Sequence, residues 1–204
     1  MMKILYVEDE LAKNIPRIIG LFKQYLSEGR IKKLQSLEED TSGYGASPEE
    51  IKKIIEETQV IDVEYRFPEA LKKVILYHQE YVRFIIDRNL SGTEYTVAEV
   101  QAIDQYYDEH QYSGREGDYL FLKIGLCGDP DILTRVYFLT AYPSQDELRC
   151  NQEIKSLRQY WRGAIRNFIE KGNHQDLKRL QNDVINLNLQ NTIEGGHTSE
   201  NSLC

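Results

Sequence analysis

The chain is predicted to be an α/β protein built on a parallel sheet with helices on both faces, and three observations carry that expectation. Four short apolar runs each stop at a polar side chain: Ile4–Val7 before Glu8-Asp9-Glu10, Phe84–Ile86 before Asp87, Tyr137–Leu139 before Thr140, and Phe168–Glu170 before Lys171. A run of about five apolar residues reads as a strand buried on both faces, which is how strands of a parallel sheet look. Between the runs, apolar residues recur at helical spacing. Finally, complete helix starts (Ser47-Pro48-Glu49-Glu50, Thr96-Val97-Ala98-Glu99) stand among these segments, so helices and strands alternate.

Taken in order, Ile4–Val7 is the first strand. Ile15, Ile18, Ile19, Phe22, Tyr25 and Leu26 then form one helical stripe, with Pro16 tolerable in the first turn and an end expected near Gly29. Arg30–Leu34 can continue as helix, whereas Asp40–Gly45 reads as a loop. Ser47 should cap a helix running to about Glu57, followed by a second strand through Val60, Ile61, Val63 and Tyr65. Pro68 opens a helix reaching about Glu80, and Val82–Ile86 is the third strand, ending in Asp87.

Thr96 and Glu99 make a capping box whose helix, read over 97–110, carries Val97, Val100, Ile103 and Tyr107 on one stripe. That apolar face must cover the domain itself or a partner, and the nearby tyrosines read as packing. Ser113–Gly117 is a loop, and a helix resumes over 117–124. Beyond Thr140, Ser144 and Glu147 form a further capping box for a long helix bearing Leu148, Ile154, Leu157 and Trp161. Asn173 can cap the last helix, with Leu177, Leu180, Val184 and Ile185 on its inner face. One domain over 1–190 and a disordered Gly/Ser/Thr/Asn-rich tail over 191–204 are expected.

Composition narrows the function classes. Apolar residues make up 41% and charged residues 28%, enough for a packed core. A net charge of −8 and a pI near 5.1 argue against nucleic acid as a partner, because phosphate binding needs a basic face. The N-terminal apolar run is too short for a signal peptide, and nothing approaches a membrane span. Cys127, Cys150 and Cys204 lack C-x-x-C spacing and read as reduced thiols in a cytoplasmic protein; the four histidines are scattered.

Open α/β sheets bind ligands at the C-terminal edge of their strands. There this chain would place an acid pair, an acid, a hydroxyl and an ammonium, the parts needed to hold Mg²⁺ and phosphorylate a carboxylate. At these residues the chain resembles the receiver domain of bacterial response regulators. Lys3–Glu10 is similar to the family's first strand with its acidic pair. Asp87-Arg88-Asn89-Leu90-Ser91-Gly92 is similar to the phosphoacceptor turn, with Ser91 where proline is usual. Leu139-Thr140-Ala141 resembles the fourth strand with its switch hydroxyl, and Phe168-Ile169-Glu170-Lys171 the fifth with its lysine.

The resemblance implies a flavodoxin-like (βα)5 doubly wound sheet of strand order 2-1-3-4-5, here with helical insertions at about 30–58 and 93–116. It further implies phosphorylation of Asp87 by a histidine kinase or a histidine phosphotransfer protein. Asp9, Asp87 and the Asn89 carbonyl would ligate Mg²⁺, with Glu8 acting through water. Lys171 and Thr140 would meet the phosphoryl oxygens, Thr140 and Phe168 would switch, and Asn89 and Tyr142 would set the lifetime. No effector segment is recognised after Lys171, so output would run through contacts with a downstream protein, with a homodimer through the helices after the fourth and fifth strands a further expectation. An alternative is a receiver-like scaffold that is never phosphorylated. A haloacid-dehalogenase-type phosphohydrolase expects a second acid two residues after the first, where this chain has Asn89.

Overall fold

The computed structural model describes residues 2–39, 46–90, 92–128, 130–140, 167–187 and 189. The expected loop at 40–45, Ser91, Tyr142, the helix opened by Ser144, Trp161 and the tail after Gln190 lie outside the described residues. In chain order the elements are β1 (Lys3–Val7), α1 (Ile15–Phe22), α2 (Glu28–Glu38), α3 (Pro48–Glu56), β2 (Ile61–Glu64), α4 (Phe67–Tyr77) and β3 (Tyr81–Asp87). They continue with α5 (Val97–Ile103), α6 (Glu109–Tyr112), α7 (Glu116–Cys127), β4 (Val136–Thr140), β5 (Phe168–Glu170) and α8 (His174–Ile185).

The five strands form one parallel sheet of order β2-β1-β3-β4-β5, the doubly wound arrangement that the sequence predicts. Alternation along each strand sorts its side chains between two cores. Ile4, Tyr6, Ile85 and Leu139 point to the face covered by α1, α2, α3 and α8, where Phe22, Leu34, Ile55 and Val184 meet them. Leu5, Val7, Ile86 and Phe138 point to the face covered by α4, α5 and α7, against Leu71, Val100 and Phe121. The described residues of segments 30–58 and 93–116 therefore pack on this same sheet, one segment on each side.

Among the described residues, the outer edge of β2 is closed by side chains rather than by another strand. Glu56 accepts the Val63 N–H at 3.1 Å, and the buried Glu64 carboxylate receives Lys52 at 2.7 Å and Lys73 at 2.8 Å. Charges along an edge of this kind oppose pairing with a foreign strand.

Several element ends depart from the expectations. The stripe expected to run as one helix to Gly29 breaks after Phe22, and Gly29 lies inside α2, whose N-cap Ser27 accepts the Arg30 N–H at 3.4 Å. Ser47 holds the N-cap position of α3, but its hydroxyl donates to Glu49 at 2.8 Å instead of accepting a backbone N–H. The helix read over 97–110 is two short helices. Asp104 is extended between them, pinned to α7 by the Tyr119 hydroxyl at 2.8 Å and by Lys123. Ile185 is 40% exposed and leaves the inner face of α8 to Leu180 and Val184, with Leu177 packed at its margin. The capping box of α5 and the Asn173 cap of α8 form as expected.

Candidate functional site

The sheet order decides what meets at its C-terminal edge. β1 and β3 are neighbours, with Val7 opposite Ile86, so Glu8 and Asp9 leave β1 beside Asp87. β4 lies next to β3, and β5 next to β4 with Thr140 opposite Glu170, so Lys171 is carried back over the acids. Glu8, Asp9 and Asp87 each bring a carboxylate oxygen to within 4.8 Å of the others. The Lys171 ammonium contacts Asp87 Oδ2 directly and lies 3.2 Å from Glu8 Oε2. Its backbone N–H donates to the Thr140 carbonyl at 2.9 Å, which ties β5 to the end of β4.

Each acid has a distinct setting. Glu8 is fully buried and shared by two cations, Lys171 and, at 3.3 Å, Arg17 of α1. Asp9 is half-buried and accepts the Gly92 N–H. Asp87 sits at the end of β3 and accepts the N–H of Asn89, which is itself exposed, at 3.3 Å. Burial, reinforced by the Asp87 charge and opposed by Lys171, pushes the Glu8 carboxyl up to about 8. Burial also raises Asp9, against the pull of the Gly92 N–H. For Lys171 burial acts downward, yet attraction to Glu8 and Asp87 outweighs it and holds the ammonium above the usual lysine range.

A pH dependence follows from Glu8. A carboxyl that holds its proton more tightly when folded stabilises the fold below its unfolded pKa and loses that contribution as pH rises through its folded value. In metal-free buffer, stability is therefore expected to fall between about pH 4.5 and 8. Glu8→Gln should flatten that part of a urea-midpoint profile against pH; an unchanged slope would assign it to other groups.

The other expected residues are placed as follows. Thr140 closes β4 and is buried, on the same face as Phe138. Phe168 is turned into the core and stacks on Phe138 with ring centroids 5.0 Å apart.

Sequence reading misses Arg17, Arg88, Glu116 and Asp118, which complete the surroundings of the acids. The Arg88 guanidinium makes a two-point contact with the fully buried Asp118, at 2.9 and 3.1 Å, and Arg115 joins the same carboxylate at 2.9 Å. Gly117 in the first turn of α7 lies against the Asp87 carbonyl, and a β-carbon there would be 2.7 Å from Arg88 Cα. The Arg17–Glu8 and Arg88–Asp118 pairings have no local signature, since each partner comes from a different element.

No protein-family model, curated protein or solved structure matches the chain. Among the described residues, no helix is long and apolar enough to cross a membrane.

Proposed function

We propose that this protein is a receiver of two-component signalling that takes a phosphoryl group on Asp87 from a histidine kinase or a histidine phosphotransfer protein. The carrying observation is the direct contact of Lys171 with Asp87 beside Glu8 and Asp9, at the C-terminal edge of a 2-1-3-4-5 parallel sheet. Three clustered carboxylate oxygens are a hard donor set that suits Mg²⁺, and the rise of Glu8 and Asp9, by burial first and the Asp87 charge second, supports a cation among them. Asp9, Asp87 and the Asn89 carbonyl would hold the ion directly, with Glu8 through water. When bound, it supplies positive charge between the carboxylates and the incoming phosphoryl group.

A carboxylate oxygen of Asp87 then attacks phosphorus in line, forming an acyl phosphate as the bond from phosphorus to the donor imidazole breaks. Lys171, already at Asp87, would follow the phosphoryl oxygens, and the Thr140 hydroxyl would donate from the adjoining strand end. This is catalysis by positioning and charge. Attack by water on phosphorus returns the free carboxylate and inorganic phosphate, and Asn89, two residues past Asp87, would flank that water. A downstream protein would read the accompanying change in packing around Thr140 and Phe168, so the output needs no DNA-binding segment.

Intact-mass measurement after incubation with Mg²⁺ and a small acyl-phosphate donor tests this. One base-labile phosphate adduct is expected, absent in Asp87→Asn. No adduct would favour the scaffold reading, in which the same fold serves only for contact.

A further inference from the structure

Glu116 opens α7 with its side chain almost wholly buried, and its carboxylate is spread over three segments. Oε2 accepts the Leu90 N–H at 3.1 Å, three residues past Asp87. Oε1 accepts the Tyr95 hydroxyl at 2.8 Å and the Gly114 N–H at 2.9 Å, both from the inserted segment. A buried carboxylate is costly unless its oxygens are satisfied, and here the donors come from the turn after Asp87 and from the two ends of the insertion. The helix N-terminus adds a favourable partial charge at the same place.

The insertion end of this chain is itself held. Tyr95 packs on Phe67 of α4 with ring centroids 5.4 Å apart, and its hydroxyl lies 3.3 Å from that of Tyr107. Arg66 grips the Glu94 carbonyl at 3.3 Å and Glu99 at 3.2 Å. On the other side, the Gly117 N–H donates to the Arg88 carbonyl at 3.0 Å. The turn following Asp87 therefore cannot shift without disturbing Glu116, and Glu116 cannot shift without disturbing Tyr95.

We propose that Glu116 is a positioning residue for Asp87, and that Tyr95 couples the inserted segment 93–116 to the phosphoacceptor turn through it. The insertion then acts as a buttress that sets how well the pocket is organised. This inference rests on the reading of Asp87 as a phosphoacceptor.

The test compares wild type with Glu116→Ala, Glu116→Gln, Tyr95→Phe and Tyr81→Phe. Adduct formation at saturating acyl-phosphate donor, the Mg²⁺ dissociation constant and the thermal midpoint are measured for each. Glu116→Ala is expected to slow adduct formation by at least about tenfold, since displacing a reacting group by even an ångström has large kinetic effects. Tyr95→Phe should act in the same direction and less. Glu116→Gln should recover most of the rate, because its amide oxygen can still accept the Leu90 N–H. Tyr81→Phe removes a comparable hydroxyl contact, to Asp62 at 2.8 Å, at the opposite end of β3. It should lower the midpoint without slowing the reaction.

Adduct formation at the wild-type rate in Glu116→Ala would overturn the positioning role and leave the reading of Asp87 intact. A rate loss in Tyr81→Phe that follows its midpoint would also overturn it, as a general stability effect. Wild-type protein that forms no adduct but binds Mg²⁺ would sink the receiver reading alone; about tenfold weaker Mg²⁺ binding in Glu116→Ala would then uphold positioning and unchanged binding would overturn it. Neither adduct nor Mg²⁺ binding in the wild type would overturn both.

Discussion

Lys171→Met is expected to slow phosphorylation of Asp87 by about 10²- to 10³-fold at saturating donor, the loss typical of removing one preorganised charge or donor from a reacting oxygen. The ammonium is the cation nearest Asp87 among the described residues, and it touches Glu8 as well. Methionine keeps the apolar stem and removes only the charge. Two consequences should separate. The reaction slows because nothing replaces the ammonium at the phosphoryl oxygens, and metal-free stability falls at neutral pH because Asp87 loses its direct ion pair. Added Mg²⁺ should restore much of the stability and little of the rate. A time course of intact mass at several donor concentrations measures the first, and urea midpoints with and without Mg²⁺ the second. A rate within twofold of wild type would mean that Lys171 does not face the transferred group.

Asp118→Ala should be the more damaging substitution for the fold, costing about 3–5 kcal/mol, as expected when one partner of a buried ion pair is removed. Asp118 is fully buried and Arg88 nearly so, and their two-point contact takes both charges out of water. Without the carboxylate, the Arg88 guanidinium stays buried one residue from Asp87. Burial raises the Asp118 carboxyl, while Arg88 and Arg115 act against that rise. Arg115→Ala should cost much less, because that guanidinium is 33% exposed and solvent already screens it. Urea unfolding of both variants checks the order; equal effects would mean that the Asp118 site opens to water. Asp118→Ala should also slow adduct formation, since Arg88 belongs to the turn that presents Asp87.

Much of this architecture is legible in the linear sequence because parallel strands buried on both faces leave a simple mark. Ile4–Val7, Phe84–Ile86, Tyr137–Leu139 and Phe168–Ile169 can be nothing but apolar where helices cover both sides, and the polar residue after each marks the C-terminal edge. Local hydrogen bonding was equally readable where one short segment supplies both partners, as at Thr96 with Glu99 and at Asn173. Spacing misled where a distant partner overrode it. The stripe through Val97, Val100, Ile103 and Tyr107 fits one helix, yet Asp104 is extended because Tyr119 and Lys123 of α7 hold its carboxylate.

Glu8, Asp9, Asp87, Thr140 and Lys171 were thus set by sequence as strand-end groups, and the order of their strands followed from the resemblance they carry. Their company was decided only in three dimensions. Arg17 reaches Glu8 from a helix, Gly92 closes on Asp9 from the far side of the turn, and Arg88 finds Asp118 thirty residues further along the chain. Strand burial and helix caps are short-range properties of a chain, written in neighbouring residues. Pairing of buried charges is long-range: it depends on which elements the packed sheet brings together, and the partner offsets the cost of taking each charge out of water.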